Sequence, residues 1–442
     1  MSRFHEFYHT MRDGTLKQIN PFTGTEVWTV PGRGDKPSTN VKNRKAKPID
    51  AKVKEKEDYC NFCSQKYYEA PPEKERIIYI QGEYRACCIR SYEEMNNHYA
   101  YFRRVPNLFE IVTYNYWKEN YGYKIPQPIL QRKLNYLSDQ QGRDHVIHVI
   151  NNKLVASGVD PETVSDDEKI EELVNPFFAG CHELIIGGRH YIDKAEDSLD
   201  LCSSGELSEE GHYQYIQFSI RTMEDIFHKN RFVRYVAIFQ NWLAPAGASF
   251  NHLHKQLVGL DEWGTSIEKK IEMVRQNRNV FNEYAANFAS YNDLIFAEND
   301  YALAFADIGH RFATITILSR SVQPYPTQQA PEEIRGISDL LYACHKAMGN
   351  QLSCNEEWYY TPDDTIDVIP WHIYLKWRLN TLAGFEGGTE IYINPISPVQ
   401  VRDKMVTRLF SLREQAGISK DIRIAEECQI IQNPLLYYRY RS

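Results

Sequence analysis

The sequence predicts an α+β protein in which one unit of strand, helix, strand and strand occurs twice. In each unit, short apolar or β-branched segments predict the strands, and apolar residues three or four positions apart predict an amphipathic helix. The first unit has strands predicted at 183–186, 232–239 and 252–258, and a helix marked by Ile216, Ile220, Met223 and Phe227. The second has strands predicted at 312–318, 358–360 and 371–377, and a helix marked by Ile334, Ile337, Leu341, Cys344 and Met348. We therefore expect two antiparallel-sheet lobes with helices packed on them.

The duplication sets the expected domain organisation of the 442-residue chain. We expect an N-terminal lobe at 1–290 and a C-terminal lobe at 291–442. The segment 97–175 is rich in Tyr, Phe and Trp but carries no chemical signature, so it is expected to be an insertion in the first lobe, with a helix within 126–154. A short strand is expected at 26–30, and the lysine-rich segment 42–56 is expected to be a solvated loop.

The composition excludes several classes of protein. Hydrophobic residues make up 42% of the chain and charged residues 25%, which is usual for a globular protein. The net charge of −8 lacks the basic footprint of a nucleic-acid-binding protein. No apolar segment approaches the ~20 residues of a membrane span. Since the N-terminus has no apolar signal core and the nine cysteines are scattered, we expect a cytoplasmic protein with no nucleic-acid or membrane partner.

A polar stripe in the strand predicted at 252–258 is the most informative feature of the sequence. Side chains alternate along a strand, so His252, His254 and Gln256 are expected on one face. Burying two imidazoles and an amide costs free energy unless each has a partner, and a metal ion or a phosphate would supply partners. The small residues of 246–249 precede the stripe, and a turn there would let backbone N–H groups approach a phosphate closely. The combination indicates a functional site.

The pair Cys60 and Cys63 is a second candidate site. A Cys-x-x-Cys turn can present two thiolates to one zinc ion, which takes four nitrogen or sulfur ligands in a tetrahedron. The pair alone is also compatible with a redox role or with simple burial. The chain has no second Cys-x-x-Cys, so a zinc site would need two more ligands from histidines, and those within 182–190 and 252–254 are the candidates.

These motifs resemble those of the galactose-1-phosphate uridylyltransferases, a branch of the histidine-triad superfamily that also includes ADP-glucose phosphorylase-like nucleotidyltransferases. The segment from Asn241 to Gln256 resembles the active-site signature of that family. Three further segments match in the family's order: 20–33 its N-terminal entry, 60–76 its zinc-binding start, and 382–395 the sugar-nucleotide segment of its C-terminal half. The match spans most of the chain outside 97–175 and implies a duplicated histidine-triad-like fold.

The resemblance implies a role for each residue of the polar stripe. His254 would be the nucleophile, and Gln256 would contact the transferred phosphoryl group. His190 is preferred over His182 as a metal ligand, because His182 aligns with a different family position. The implied zinc ligands are Cys60, Cys63, His190 and His252. Because all four positions would be filled by protein, the zinc ion would be structural.

Further residues match family positions that contact the substrate. Asn241, Gly247 and Ser249 would lie around the phosphate, and Arg33 would lie near the phosphates. Phe385 and Glu386 would contact the hexose. In the second half, the residues expected to be equivalent to His252, His254 and Gln256 are His372, Tyr374 and Lys376. That copy is therefore expected to be catalytically silent, with His372 as a structural histidine.

The activity implied by the resemblance is a two-step nucleotidyl transfer. A nucleoside diphosphate sugar such as a UDP-hexose would transfer its nucleotidyl group to His254, and hexose 1-phosphate or phosphate would accept it. In family terms, Gln256 in place of a third histidine favours transfer over hydrolysis. The alternatives are an ADP-sugar or dinucleoside polyphosphate phosphorylase, and a zinc-stabilised nucleotide-binding protein without turnover. Family members are often dimers, so a homodimer is expected.

Overall fold

The computed structural model describes residues 4–33, 46–56, 58–429 and 431–440. The strands in these ranges are β1 (Tyr8–Thr10), β2 (Leu16–Ile19), β3 (Glu26–Thr29), β4 (Glu75–Ile80), β5 (Glu83–Cys88), β6 (Phe102–Pro106), β7 (His182–Gly187), β8 (Tyr235–Trp242), β9 (His254–Leu260), β10 (Ile295–Glu298), β11 (Ala302–Asp307), β12 (Ala313–Ser319), β13 (Cys354–Tyr359), β14 (His372–Trp377), β15 (Ile391–Ile393) and β16 (Arg423–Ile424). The helices are α1 (Phe4–Phe7), α2 (Ala51–Lys56), α3 (Tyr114–Tyr121), α4 (Gln127–Ser138), α5 (Gln140–Ala156), α6 (Asp166–Glu168), α7 (Asn175–Ala179), α8 (Glu209–Lys229), α9 (Thr265–Gln276), α10 (Asn287–Tyr291), α11 (Pro331–Met348), α12 (Gly384–Thr389) and α13 (Pro398–Glu414).

A large antiparallel sheet contains most of these strands, in the order β16-β10-β11-β12-β14-β13-β8-β9-β7-β6-β4-β5. The order β4-β6-β7-β9-β8 in the first half matches β10-β11-β12-β14-β13 in the second. In each half, one long helix crosses between strands: α8 connects β7 to β8, and α11 connects β12 to β13. The two halves meet where β8 pairs with β13, with Asn241 opposite Asn355. The α+β duplication is therefore present, and the two sheets form one continuous sheet instead of two separate ones.

Helices α8 and α11 cover one face of the large sheet and pack against each other. Ser208 begins α8 by accepting a hydrogen bond from the N–H of Gly211, and Pro331 begins α11. The apolar residues predicted to face the core are buried in both helices, apart from Phe227 and Met348, which are half-buried. The opposite face of the sheet is left for the site described below. No helix in the described part of the chain has both the length and the apolar character needed to cross a membrane.

A small sheet, β1-β2-β3-β15, lies beside the second half of the molecule. The strand predicted at 26–30 is β3, and it pairs in parallel with β15 from the C-terminal region. Asn20 donates to the carbonyl of Ile308 at 3.0 Å and so ties this sheet to the turn between β11 and β12. Gly309 in that turn has φ +66°, and a Cβ there would lie 2.0 Å from the backbone nitrogen of Asn20. Only glycine permits this close approach.

Two expected segments differ from the structure. Strand β6 belongs to the large sheet between β4 and β7, so part of the segment 97–175 lies in the sheet. Helices α3 to α7 follow β6, and a separate small core that includes Tyr136, Val149 and Phe177 holds helices of this group together. Residues 51–56 of the lysine-rich segment form α2, so the expectation of a solvated loop is wrong for them, while 42–45 lie outside the described residues.

An ion pair is buried beneath β9, on the face covered by α8. Lys255 is paired with Glu356, and both side chains are fully buried. The same carboxylate accepts a hydrogen bond from Trp358 Nε1 at 2.6 Å and contacts His345 Nε2 at 2.9 Å. Because Lys255 lies between His254 and Gln256 in sequence, this pair anchors from below the strand that carries both.

Replacing Lys255 with methionine is expected to destabilise the protein by about 3–5 kcal/mol, because the carboxylate of Glu356 would remain buried without its cation. Unfolding in guanidinium chloride would measure the free energy of unfolding. The double variant K255M/E356Q removes both charges and should recover much of the loss. A single variant as stable as the wild type would contradict this role for the pair.

Candidate active site and metal centre

Four side chains from three parts of the chain converge near the start of β9. Cys60 and Cys63 lie before the first strand of the large sheet, His190 follows β7, and His252 precedes β9. The two sulfur atoms are 3.8 Å apart. Each lies 3.5–3.8 Å from Nδ1 of both histidines. The structure thus brings together all four residues predicted to be metal ligands, with their ligand atoms within 4.8 Å of one another.

The spacing of these atoms fits a tetrahedral cation. Zn–S bonds of ~2.3 Å and Zn–N bonds of ~2.0 Å give distances between ligand atoms of roughly 3.3–3.8 Å. His252 Nε2 donates to the carbonyl oxygen of Gly187 at 2.6 Å, so its Nδ1 is unprotonated and can bind a metal. The hydrogen bond with Cys60 lowers the pKa of the Cys63 thiol. The cluster can therefore hold a metal ion, and its donor set suits zinc.

His254 is the first residue of β9, and its side chain is buried. Its Nδ1 donates to the carbonyl oxygen of His252 at 2.7 Å, so the lone pair is on Nε2. Burial lowers the pKa of His254, which favours the neutral imidazole. The ring of Phe62 lies edge-on at 5.3 Å between centroids and packs on Phe250. His254 thus presents a neutral, nucleophilic nitrogen in an apolar wall, and His252, one of the four predicted metal ligands, supplies the carbonyl that orients it.

Gln256 lies two residues further along the same face, and His182 holds its amide in one orientation. Nδ1 of His182 accepts the backbone N–H of Ile111 at 3.0 Å, so the proton is on Nε2, which donates to Gln256 Oε1 at 3.0 Å. Asn107 Nδ2 lies 3.5 Å from the same oxygen. Because its oxygen is occupied, Gln256 keeps its NH₂ group for an anion. The family resemblance did not assign this role to His182. In the structure, Leu184 on β7 pairs with Gln256 on β9, and His182 is two residues from Leu184 on the same face, so it lies diagonally beside Gln256.

Asn241 lies near the end of β8, the strand next to β9. Phe239 is opposite Gln256, and the same register continued by two residues places Asn241 beside His254. Its Oδ1 accepts a hydrogen bond from Asn355 Nδ2 at 2.7 Å, which leaves its NH₂ group free. His254 therefore has two amides as neighbours, Gln256 and Asn241, and each has a fixed oxygen and an NH₂ group available to an anion.

The turn before β9 forms a different hydrogen-bond pattern from the one expected. Gly247 has φ +89°, which favours glycine, and a Cβ there would lie 3.9 Å from Asn241 Nδ2. The N–H groups of 246–248 donate to carbonyl groups at the start of the same turn, so they are not free to bind a phosphate. Ser249 is exposed. Of this site's predicted phosphate contacts, the side chain of Asn241 is therefore better placed than the backbone of the turn.

Arg33, Phe385 and Glu386 lie next to strands of the small sheet, whereas His254 lies in the large sheet. Arg33 follows β3, whereas the other two lie on α12, just before β15. Because β3 and β15 are parallel, these positions are at opposite ends of the small sheet. Glu386 is buried and accepts the backbone N–H of Ala383 at 3.0 Å, so it caps its own helix. No hydrogen bond, ion pair or ring contact among the described residues joins Arg33, Phe385 or Glu386 to His254.

The second half repeats the geometry of His254 at His372. His372 is the first residue of β14, and its Nδ1 donates to the carbonyl of Pro370 at 2.7 Å, as His254 does to His252. His372 is therefore the equivalent of His254, and the equivalence expected between Tyr374 and His254 is wrong by two residues. Lys270 Nζ lies 2.8 Å from His372 Nε2, so the nitrogen that would attack is occupied. This contact agrees with the expectation that the second copy is catalytically silent.

Two solved plant proteins share this fold. An ADP-glucose phosphorylase from Arabidopsis thaliana with bound ADP-glucose matches with a TM-score of 0.55 and 15% identity, over 88% of this chain and 97% of that one. A GalT-like protein from Arabidopsis thaliana matches with a TM-score of 0.54 and 16% identity, over 88% of this chain and 98% of that one. The histidine-triad-like fold expected from the motifs is thus confirmed.

No curated protein matches the sequence. A family model does match, and it covers residues 11–437, almost the whole chain. The protein therefore belongs to the family described as a domain of unknown function, DUF4921.

Proposed function

We propose that this protein is a nucleotidyltransferase that forms a covalent nucleotidyl-histidine on His254. The observation that carries the proposal is the hydrogen bond of 2.7 Å from His254 Nδ1 to the carbonyl of His252. It leaves the lone pair of Nε2 for attack on phosphorus, and it does so without a charged partner. The free NH₂ groups of Gln256 and Asn241 provide donors for the phosphoryl group beside that nitrogen.

The reaction has two displacement steps at one phosphorus atom. In the first, Nε2 of His254 attacks the α-phosphorus of a nucleoside diphosphate sugar, and the bond to the sugar 1-phosphate breaks. In the second, an oxygen of a phosphate acceptor attacks the same phosphorus, and the P–N bond breaks to restore the imidazole. Gln256 and Asn241 would donate to the oxygens on which negative charge increases.

The metal proposed for the cluster of Cys60, Cys63, His190 and His252 is zinc. Its chemistry there is structural, because four protein ligands complete the tetrahedron. Phe62 lies between the ligands Cys60 and Cys63 in sequence, and its ring packs beside His254. The ligand His252 also supplies the carbonyl that orients His254. The cluster would therefore hold the nucleophile's surroundings in place.

The donor is proposed to be a nucleoside diphosphate sugar, with a UDP-hexose and hexose 1-phosphate as the first candidate pair. A second candidate, an ADP-sugar phosphorylase, is supported by the plant ADP-glucose phosphorylase, which has bound ADP-glucose and shares the fold over 97% of its length. The two candidates differ in whether hexose 1-phosphate or inorganic phosphate is the acceptor. Ser249 and Arg33 are proposed phosphate contacts, and Phe385 and Glu386 proposed hexose contacts.

A homodimer is part of the proposal. Light scattering would measure the mass in solution, and a monomer at all concentrations would contradict this part. None of the nine cysteines forms a disulfide bond, which supports a reducing, cytoplasmic compartment.

The intact mass of the protein after brief incubation with UDP-glucose, UDP-galactose or ADP-glucose tests the mechanism. The expected result is a gain of one nucleoside monophosphate, which also identifies the base. The variant H254A should gain nothing, whereas H148A, which changes an exposed histidine on α5, should behave as the wild type. If none of the three donors labels the metal-loaded wild type, the proposal is wrong for these donors.

A further inference from the structure

Arg378 lies just after β14, and its side chain reaches the junction between the two halves. Its Nη1 donates to Asn355 Oδ1 at 2.8 Å, and Asn355 in turn holds Asn241. The guanidinium carbon lies 4.1 Å from the centroid of the Phe312 ring. The chain of hydrogen bonds therefore runs with one polarity, from Arg378 through Asn355 to Asn241, and ends at an NH₂ group beside His254.

Arg378 forms no ion pair within the described part of the chain. None of the described carboxylates lies within ion-pair distance of its nitrogens, and its Nε is buried without a hydrogen-bond acceptor. The neighbouring cation Lys376, on β14, is instead paired with Glu357 at 2.6 Å. A guanidinium that gives one donor to an amide and keeps the others is suited to an anion, because its planar fork matches a phosphate.

The position of Arg378 relates it to the nucleophile. Directly opposed residues of the sheet form a row, in which Asn241 on β8 is next to His254, Asn355 on β13 follows, and Lys376 on β14 comes next, before Thr314 on β12. Neighbouring strands are about 4.8 Å apart. Arg378 reaches back from β14 to Asn355, so its guanidinium lies over this row, on the side of His254 that faces the second half.

We propose that Arg378 binds the phosphate group that leaves the phosphorus in the first step and attacks it in the second. The inference rests on the proposed function, and it makes the second half part of the active site. The ligand chemistry is a phosphate dianion, which a sugar 1-phosphate and inorganic phosphate share. In the first step this group departs with the electron pair of the broken P–O bond. In the second its oxygen forms a new P–O bond as the P–N bond breaks.

Direct binding tests the site without turnover. Calorimetry would measure the affinity of the metal-loaded protein for inorganic phosphate and for glucose 1-phosphate in separate titrations. R378A is expected to weaken binding of the preferred ligand about ten- to a hundredfold, and R378K to restore part of it. R90A removes an exposed arginine elsewhere and should bind as the wild type. Equal affinity in R378A and R90A, or no binding of either ligand to the wild type, would overturn the proposal.

The two half-reactions separate this inference from the proposed function. R378A should still be labelled on His254 by the donor, but discharge of the label should need about ten- to a hundredfold more acceptor for half its maximal rate. Whether phosphate or glucose 1-phosphate discharges the wild type tells which source the site takes. If the wild type is never labelled but phosphate binding still depends on Arg378, the mechanism fails and the binding site stands. If discharge from R378A has the wild-type acceptor dependence, the inference fails and the mechanism stands.

Discussion

Serine in place of Cys63 is expected to leave the protein without its metal ion and to lower its stability steeply. The thiolate contributes one of four ligands, and three ligands of this set hold a divalent ion far less tightly. Apparent binding free energies of structural zinc are about 10–16 kcal/mol, as large as the entire stability of many domains, about 5–15 kcal/mol. The loss should therefore appear as poor folding or as a large fall in Tm.

Metal content by mass spectrometry and thermal unfolding with and without a chelator would measure this effect. The wild type should contain one zinc ion per chain and should lose stability when the chelator removes it. Cys88 is exposed on β5, outside the cluster, so C88S is the matched control and should keep the metal. If C63S kept one metal per chain and unfolded like C88S, the cluster would not be the metal site.

Alanine in place of His182 is expected to lower kcat about 10²–10³-fold while the fold stays intact. The hydrogen bond from His182 Nε2 to Gln256 Oε1, at 3.0 Å, turns the amide so that its NH₂ group is free. Without it the amide can rotate and present its oxygen to a negatively charged phosphoryl group. Losing one preoriented donor at a developing charge costs about that factor in rate.

A double-mutant cycle distinguishes positioning from a general structural effect. If His182 acts through Gln256, adding H182A to Q256A should change kcat little further, because the group that His182 orients is already absent. H182Q can still donate to Gln256 and should restore part of the rate. The effect should fall mainly on kcat and not on KM for the donor. Two independent, additive losses would show that His182 supports the fold and not the amide.

The sequence allowed the metal cluster and the nucleophile to be proposed, because both depend on short motifs. Cys60 and His252 are 192 residues apart in sequence, yet the motif order alone placed them in one cluster. Strand alternation correctly put His254 and Gln256 on one face and Lys255 on the other, although His252 lies just before the strand. Each motif is short, so it can be recognised without knowing the tertiary structure, even where the motifs are far apart in sequence.

Features that depend on contacts between distant segments were missed. The tautomer of His182 is set by the backbone of Ile111, in a loop that the sequence marks only as part of an insertion. The equivalence between His254 and His372 was displaced by two residues, because the repeat is weak in residue identity and the carbonyl hydrogen bond that marks it is invisible in sequence. The pairing of β8 with β13 depends on how the two halves dock, and neither strand's sequence encodes its partner.

The pairing of β8 with β13 makes the two halves of the chain depend on each other. Cutting the protein into its two halves would expose β8 and β13 as unpaired edges, which invite aggregation. Because both halves are on one polypeptide, they are held at a high effective concentration. The pairing of β8 with β13 therefore does not depend on the concentration of the protein in the cell. Within such a tethered pair, one half can have its imidazole blocked by Lys270 while the other keeps an open one. The molecule is in effect an asymmetric dimer in a single chain.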